Sequence, residues 1–263
     1  MTAVRIVVCV KTNYDLQMVR VKGREPVLEA LPYKVGDLEK NALEAALQLR
    51  EGGLECTIVA LTVAEANAKV KETMKEALAL AAEEAVVVND PALAATDQAA
   101  LAAAIAKAIE HTGGADLVLF GEGSTDNYSG LVGSRVAELL GLPQIGYARS
   151  LAVADGTVTV ERSMDDMIET LQAPLPAAVT VASEINEPRV ATLMNIMKAG
   201  KKPLIELSLA DLGLDAGAVA PQKAVLSNLA EEQDRKHIII EGDAATAAAG
   251  LVDALVKEGV LGR

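Results

Sequence analysis

The sequence predicts a doubly wound α/β domain built on a mostly parallel sheet. Two observations carry that prediction. Short β-branched and aliphatic runs alternate with longer Ala- and Leu-rich stretches of helical period, from the N-terminus to about Leu140. The first run is apolar without a break, as a strand buried on both faces must be. The alternation implies parallel strands joined by helical crossovers.

Taken in order, Arg5 to Val10 is the first strand, and a polar, irregular segment follows to about Tyr33. Asp37 to Arg50 reads as a helix: Leu38, Ala42, Leu43, Ala46, Leu47 and Leu49 give it an apolar face, and Gly52-Gly53 ends it. Thr57 to Val63 is a second strand, Ala66 to Ala81 a helix, and Ala85 to Val88 a third strand. Thr96 to Glu110 is a helix closed by Gly113-Gly114. Asp116 to Phe120 is a fourth strand, which runs into a Gly/Ser loop and a helix from about Ser129 to Leu140.

After Pro143 the pattern changes. Leu151 to Val153, Thr157 to Arg162, Met167 to Gln172 and Ala177 to Val181 are short strands, and Asp155-Gly156 is a hairpin signal. This reads as a β-rich extension of the same domain. Asn186 to Lys202 is polar, basic and irregular. A Pro/Gly-punctuated tail follows, with a strand expected at His237 to Ile240 and a last helix from about Asp243 to Lys257. The expected division is an α/β domain over residues 1–202 and a C-terminal arm over 203–263.

Composition narrows the function. The 263 residues suit one large domain with extensions, and 51% are apolar, enough for a sizeable core. One Phe and no Trp leave that core to Ala, Val, Leu and Ile, and argue against a base-stacking surface. A net charge of −13 repels phosphate backbones and anionic membranes, so neither nucleic acid nor a membrane is an expected partner. No apolar run reaches spanning length, and the N-terminus reads as a strand rather than a signal peptide. Cys9 and Cys56 sit in apolar runs and read as reduced thiols in a cytoplasmic compartment.

In a parallel sheet, ligands bind beyond the C-terminal strand ends, so the loops after Val10, Leu61 and Phe120 are the candidates. The loop Gly121-Glu122-Gly123-Ser124-Thr125-Asp126-Asn127-Tyr128-Ser129-Gly130 joins a strand to a helix. Free N–H groups at such a junction favour a phosphate, and Ser124, Thr125 and Ser129 add hydroxyls. The same residues also suit an ordinary capped βα loop. The stretch is neither a Walker A loop nor a Gly-x-Gly-x-x-Gly fingerprint.

Catalytic chemistry is poorly represented. His111 and His237 lie near no nucleophile motif, no Cys/His spacing suggests a metal site, and Glu161, Asp165, Asp166 and Glu169 read as solvated charge. A nucleotide-binding chain with no acid, base, nucleophile or metal of its own reads as a carrier or regulator. Asn186 to Pro203 sets Leu193, Met194, Ile196 and Met197 beside a basic cluster that includes Lys198 and Lys201. That pattern fits a docking surface, and equally a helix with a Met/Ile core face and a Lys-rich C-terminus.

The chain resembles the beta subunit of electron transfer flavoproteins, the family that includes the FixA-type proteins. The resemblance rests on Asn-Glu-Pro-Arg (186–189), Ala-Thr-Leu (191–193), Asn-Ile-Met-Lys-Ala (195–199) and Lys-Lys-Pro (201–203). Weaker matches agree in position: Val-Cys-Val-Lys at 8–11, Gly-Leu-Pro-Gln at 141–144, Val-Glu-Arg at 160–162 and Leu-Pro-Ala-Ala-Val-Thr-Val at 175–181.

The resemblance implies a Rossmann-like, adenine-nucleotide-binding fold whose C-terminal arm packs on an alpha subunit. It implies a heterodimer with FAD held mainly on alpha, and a second adenine nucleotide, AMP or FAD, in the beta pocket. Electrons would come from flavin dehydrogenases, such as acyl-CoA dehydrogenases, and pass to a quinone reductase or another redox acceptor. No residue of the chain would be catalytic. The implied nucleotide pocket comprises Cys9; Gly36, Asp37, Leu38 and Glu39; Thr62 and Val63; and the Gly121 to Gly130 loop with Leu131 and Val132. The recognition loop would be 186–202, with Leu193 inserting into the dehydrogenase, flanked by Lys198 and Lys201. This sequence departs from the family pattern at Gly36-Asp37, usually Asn-Pro; at Tyr128, usually an acid; and at Ser163, also usually an acid. Beside the resemblance stands a nucleotide-sensing module of the universal-stress type, which would need only the loop from Gly121 to Gly133.

Overall fold

The computed structural model describes residues 3–29, 31–94, 96–232 and 236–262. It contains an α/β unit over Val27–Ser227 with the N-terminal residues to Arg20, and a second unit over Val21–Pro26 with Asn228–Arg263.

In the α/β unit, β1 (Val4–Cys9) is followed by β2 (Thr12–Tyr14). Next in the chain come β3 (Arg20–Lys22) and β4 (Glu25–Val27), which pair with each other and lie mostly in the second unit, and then β5 (Tyr33–Val35), back in the α/β unit. Three crossover helices follow, with their strands: α1 (Asp37–Glu51), β6 (Cys56–Ala64), α2 (Ala68–Leu80), β7 (Glu84–Asn89), α3 (Gln98–His111) and β8 (Leu117–Gly121). The chain continues through α4 (Val132–Leu139), β9 (Gln144–Ala154), β10 (Thr157–Ser163), β11 (Ile168–Pro174), β12 (Ala177–Val181), α5 (Leu193–Ala199) and β13 (Leu204–Leu207). One nine-stranded sheet runs β11-β10-β9-β12-β8-β1-β6-β7-β13. Its pairs are parallel from β9 across to β13, and antiparallel for β9-β10 and β10-β11. The doubly wound α/β fold expected from the alternation is the fold observed.

Period-two alternation divides the sheet between two cores. Ile6, Val8 and Val10 face α1 and α2, and pack with Leu43, Leu47, Met74 and Leu78. Val7 and Cys9 face the other way, with Ile105 and Ile109 of α3 and Val136 of α4. Each fully buried aliphatic side chain contributes about 1.5–3 kcal/mol of transfer free energy. A strand core made without Trp is therefore well supported. β1 lies between β8 and β6, and the chain reverses its direction of travel across the sheet there. Such a switch point opens a crevice above the strand ends.

Several elements differ from the sequence expectation. The segment up to Tyr33 is partly ordered: β2 and β5 form an antiparallel pair, with Tyr14 and Tyr33 edge to face at 4.5 Å. α2 begins at Ala68 rather than Ala66, because Asn67 caps it by accepting from the Lys69 amide at 2.9 Å. α4 begins at Val132 rather than Ser129, because Tyr128 (φ +44°) and Gly130 (φ +63°) hold the preceding loop out of helical geometry. The short strand expected at Leu151 to Val153 is the end of the eleven-residue β9.

Asn186 to Lys202 contains a seven-residue helix, α5, instead of being irregular throughout. Beyond Pro203 the chain stays in the α/β unit at first. β13 pairs in parallel with β7, and Leu209, Leu212 and Val219 are buried in the second core. The strand expected at His237 to Ile240 does not form: His237 takes φ +44°, which interrupts extension, and among the described residues no strand pairs with this run.

In the second unit, Arg24 and Ala230 exchange hydrogen bonds through the Arg24 side-chain Nε, the Ala230 amide and both carbonyls. Its helix α6 (Ala244–Lys257) is capped by Asp243, which accepts from the Thr246 amide at 2.8 Å. No residue of α6 is buried, and Leu251 and Val252 are about half exposed.

Candidate functional site: a cleft above β1, β6 and β8

The cleft lies where the switch point predicts. Leu61 and Val63 of β6, Cys9 of β1 and Phe120 of β8 project from the same face of the sheet and form an apolar floor. Leu101 and Ile105 of α3 close the apolar side. Ser129, Gly130, Leu131, Val132 and Gly133 bring the start of α4 to the opposite wall. Two glycines make this possible. A Cβ on Gly133 would stand 2.8 Å from Thr180 Cγ2 and 3.3 Å from the Phe120 ring, so only glycine lets α4 approach the sheet this closely. A Cβ on Gly121 would stand 2.7 Å from Leu38 Cβ, so the end of β8 slides against the start of α1.

The helix ends around the cleft are not equivalent. α3 is capped by Asp97, whose Oδ1 accepts from the Ala99 and Ala100 amides at 2.9 and 3.1 Å. α4 has no side-chain cap. The first-turn amides of an uncapped helix are free donors and carry the positive end of its dipole.

Charge is arranged above this floor. Lys11, just past β1, donates to both oxygens of Asp126, at 2.8 and 2.7 Å. Partial burial works against the Asp126 anion, but the hydrogen bonds from Lys11 and Ser124 prevail and hold its carboxyl below the usual carboxylate range. Glu39, in the first turn of α1, is buried and lines the cleft. Burial pushes its carboxyl up to about 7, against opposing help from its own and the Lys11 backbone amides and from the Lys11 charge. Its Oε2 has no hydrogen-bond partner among the described residues. The Tyr128 hydroxyl donates to Glu122 at 2.6 Å, which pushes the phenol up to about 12. Burial pushes the Cys9 thiol far up, so Cys9 is an inert wall residue.

Of the residues named from sequence, Cys9, Glu39, Val63, Gly121, Glu122, Gly123, Ser124, Asn127, Ser129, Gly130, Leu131 and Val132 line this one cleft. The others stand beside it. Gly36 and Leu38 are buried beneath Glu39 and Gly121, Thr62 points away from the floor, and Asp37 is bonded to Lys34. Thr125, Asp126 and Tyr128 are exposed on the loop's outer turn. Sequence reasoning missed Lys11, Phe120 and the first turn of α3. Lys11 directly follows a strand end and was within reach; α3's contribution depends on which sheet face its crossover covers. Arg162 and Glu169 pair across β10 and β11 at 2.7 Å, while Asp165 and Asp166 are exposed in the turn.

The second candidate surface is α5. Thr192 caps it by accepting from the Asn195 amide. The preceding loop is fastened to α1: Arg189 makes paired 2.8 Å bonds to Glu44 and to Glu51, and Asn186 and Asn41 bond each other. After the helix, Lys202 donates to the carbonyls of Leu78 and Ala82 at the end of α2, so it is a structural cap. Between these anchors Leu193 is 75% exposed, and Met194, Ile196 and Met197 are exposed as well; Lys198 and Lys201 flank them. A helix forms, but its Met/Ile face is outside the core.

Fold and cleft together define a Rossmann-like domain with a cleft at the switch point and, elsewhere on the chain, a short helix with an exposed apolar face. A family model described as "Electron transfer flavoprotein domain" matches residues 27–212. The chain belongs to the electron transfer flavoprotein family. Members are electron carriers associated with flavin, and they work with other electron-transfer components.

Proposed function

We propose that the chain is the beta subunit of a heterodimeric electron transfer flavoprotein. It shuttles electrons from flavin dehydrogenases, such as acyl-CoA dehydrogenases, to a quinone reductase or another acceptor. The observation that carries this reading is α5: four exposed apolar side chains on a capped helix, held out by the Arg189 and Lys202 anchors. A cluster of that kind, rimmed by Lys198 and Lys201, suits transient docking to an acidic-rimmed pocket.

The cleft fits an adenine nucleotide. Val63, Leu101 and Ile105 would take the apolar face of the base, and the uncapped start of α4, with Ser129, would take a phosphate. FAD, when bound in the heterodimer and mainly on alpha, supplies the one- and two-electron chemistry. This chain's residues bind and orient, and none forms or breaks a bond. AMP or a second FAD is the nucleotide we place in the cleft. The arm that packs on alpha narrows in our reading from 203–263 to Asn228–Arg263, because β13 and Leu209, Leu212 and Val219 belong to the sheet unit. The buried Cys9 and the half-buried Cys56, both free, suit a cytoplasmic setting.

Leu193→Ala tests the docking half of this proposal. Electron transfer from the dehydrogenase should slow by about tenfold or more, as loss of a central anchor costs ~1–2 kcal/mol or more, while bound flavin is unchanged. Loss of flavin, or an unchanged rate, would show that α5 is not the docking element.

A further inference from the structure

We propose that Glu39 is a protonation-controlled gate on the cleft: as a neutral acid it admits an anionic adenine nucleotide, and as a carboxylate it repels one. The inference rests on the reading of the cleft as a nucleotide site.

Glu39 is 4% exposed, yet it lines the cleft. Its carboxyl lies against Gly36, where any side chain would overlap Oε2. With Thr12 Oγ1 and Asn13 Nδ2, Oε2 is one of three buried side-chain atoms without a hydrogen-bond partner among the described residues. A buried carboxylate normally has a cation of its own. Here the nearby cation, Lys11, is bonded to both oxygens of Asp126.

The other charges around it are spoken for. Lys34 of β5 is bonded to Asp37, and Lys40 is paired with Glu76 of α2. Asp126, in the β8–α4 loop, disfavours a second negative charge at Glu39, and Glu122 contributes another acid to the same cleft. The site therefore carries one carboxyl pushed up toward neutrality by burial, lining the same cleft as the helix end that would hold a phosphate. Ionising it places two like charges in one low-dielectric cleft, where their repulsion is strong. By linkage, a bound nucleotide raises Glu39's proton affinity, and binding takes up a proton.

The test is AMP titration of the full-length chain, stripped of co-purifying nucleotide, between pH 6 and pH 8.5, for the parent and Glu39→Gln. The parent's affinity should fall by about tenfold, the equivalent of one pK unit of coupling. The phosphate monoester's own second ionisation, at about 6, only adds ligand charge over this range, so the Gln variant should stay flat or tighten. Equal pH slopes would overturn the gate while leaving the nucleotide site intact. A parent that tightens with pH relative to Gln would also overturn it, since the carboxylate would then be accepting a bond from the ligand. Binding of AMP by neither protein at any pH would overturn the nucleotide reading itself. Should the variant misfold, calorimetry of the parent at pH 7.5 in two buffers of different ionisation enthalpy decides: net proton uptake on binding AMP supports the gate, and release or no transfer overturns it.

Discussion

The cleft and the α5 segment solve opposite problems with the same kinds of residue. Around α5 the polar groups are satisfied within the chain, Arg189 by Glu44 and Glu51 and Lys202 by two helix carbonyls, while the apolar side chains are left bare. In the cleft the apolar side chains are covered, and polar groups are left wanting: among the described residues Glu39 Oε2 has no partner and α4 has no side-chain cap. Unfilled hydrogen-bonding capacity in a recess suits a small polar ligand, and a rigidly mounted apolar knob suits a protein surface. Each region is incomplete in the way its ligand would complete it.

Breaking the α5 mounting should have the largest effect. Arg189→Ala leaves the buried Glu44 carboxylate without its cation. Loss of about 2–3 kcal/mol is expected, toward the lower end for a broken buried pair because Arg189 is partly exposed. Urea unfolding reads this directly, and docking should weaken with it.

Glu39→Gln should act on the cleft with the opposite sign. The folded-state carboxyl sits at about 7 against an ordinary 4.5, so the folded protein holds a proton that the unfolded chain gives up. Its contribution is therefore most favourable below about 4.5, falls as pH rises to about 7, and stays low above that. The permanently neutral Gln escapes this loss. It should stabilise the fold by about 2 kcal/mol at pH 8 and far less at pH 5, which thermal melts at the two pH values would show. An equal effect at both would mean that Glu39 does not change charge on unfolding.

Gly133→Ala should cost about 1–2 kcal/mol through the clash with Thr180 and Phe120. It should also weaken AMP binding by moving the start of α4. Leu193→Ala should change stability least, within about 0.5 kcal/mol, because its side chain has little to lose on unfolding. That small stability effect, set against a large loss of transfer rate, is what separates a docking residue from a structural one.

The centre of the sheet was legible in the sequence because β1, β7 and β8 are largely apolar runs and α1 and α3 end at the glycine pairs Gly52-Gly53 and Gly113-Gly114. The cleft's position followed from topology alone, since strand ends and the β8–α4 loop can be read once the alternation is seen. What escaped had physical reasons. β2 and β5 are three residues each and carry Lys and Asn. The first half of β9 is masked by Gly146 and by Tyr147 at φ +61°, with an irregular register beside β12. β13 follows a proline and is four residues long. The Lys11–Asp126 pair spans 115 residues of sequence, a distance no local pattern reports. α5's two alternatives, docking knob or core helix, look alike in sequence, and the exposure of its Met/Ile face depends on the distant Arg189 and Lys202 anchors.

On the proposed function, this chain completes itself on a flavin-bearing partner. Co-expression with the alpha subunit, followed by purification through a tag on this chain, tests it most directly. The expected result is a one-to-one complex with a flavin absorbance spectrum that releases AMP or additional FAD on denaturation. A stable monomer that retains neither the alpha subunit nor flavin would contradict it.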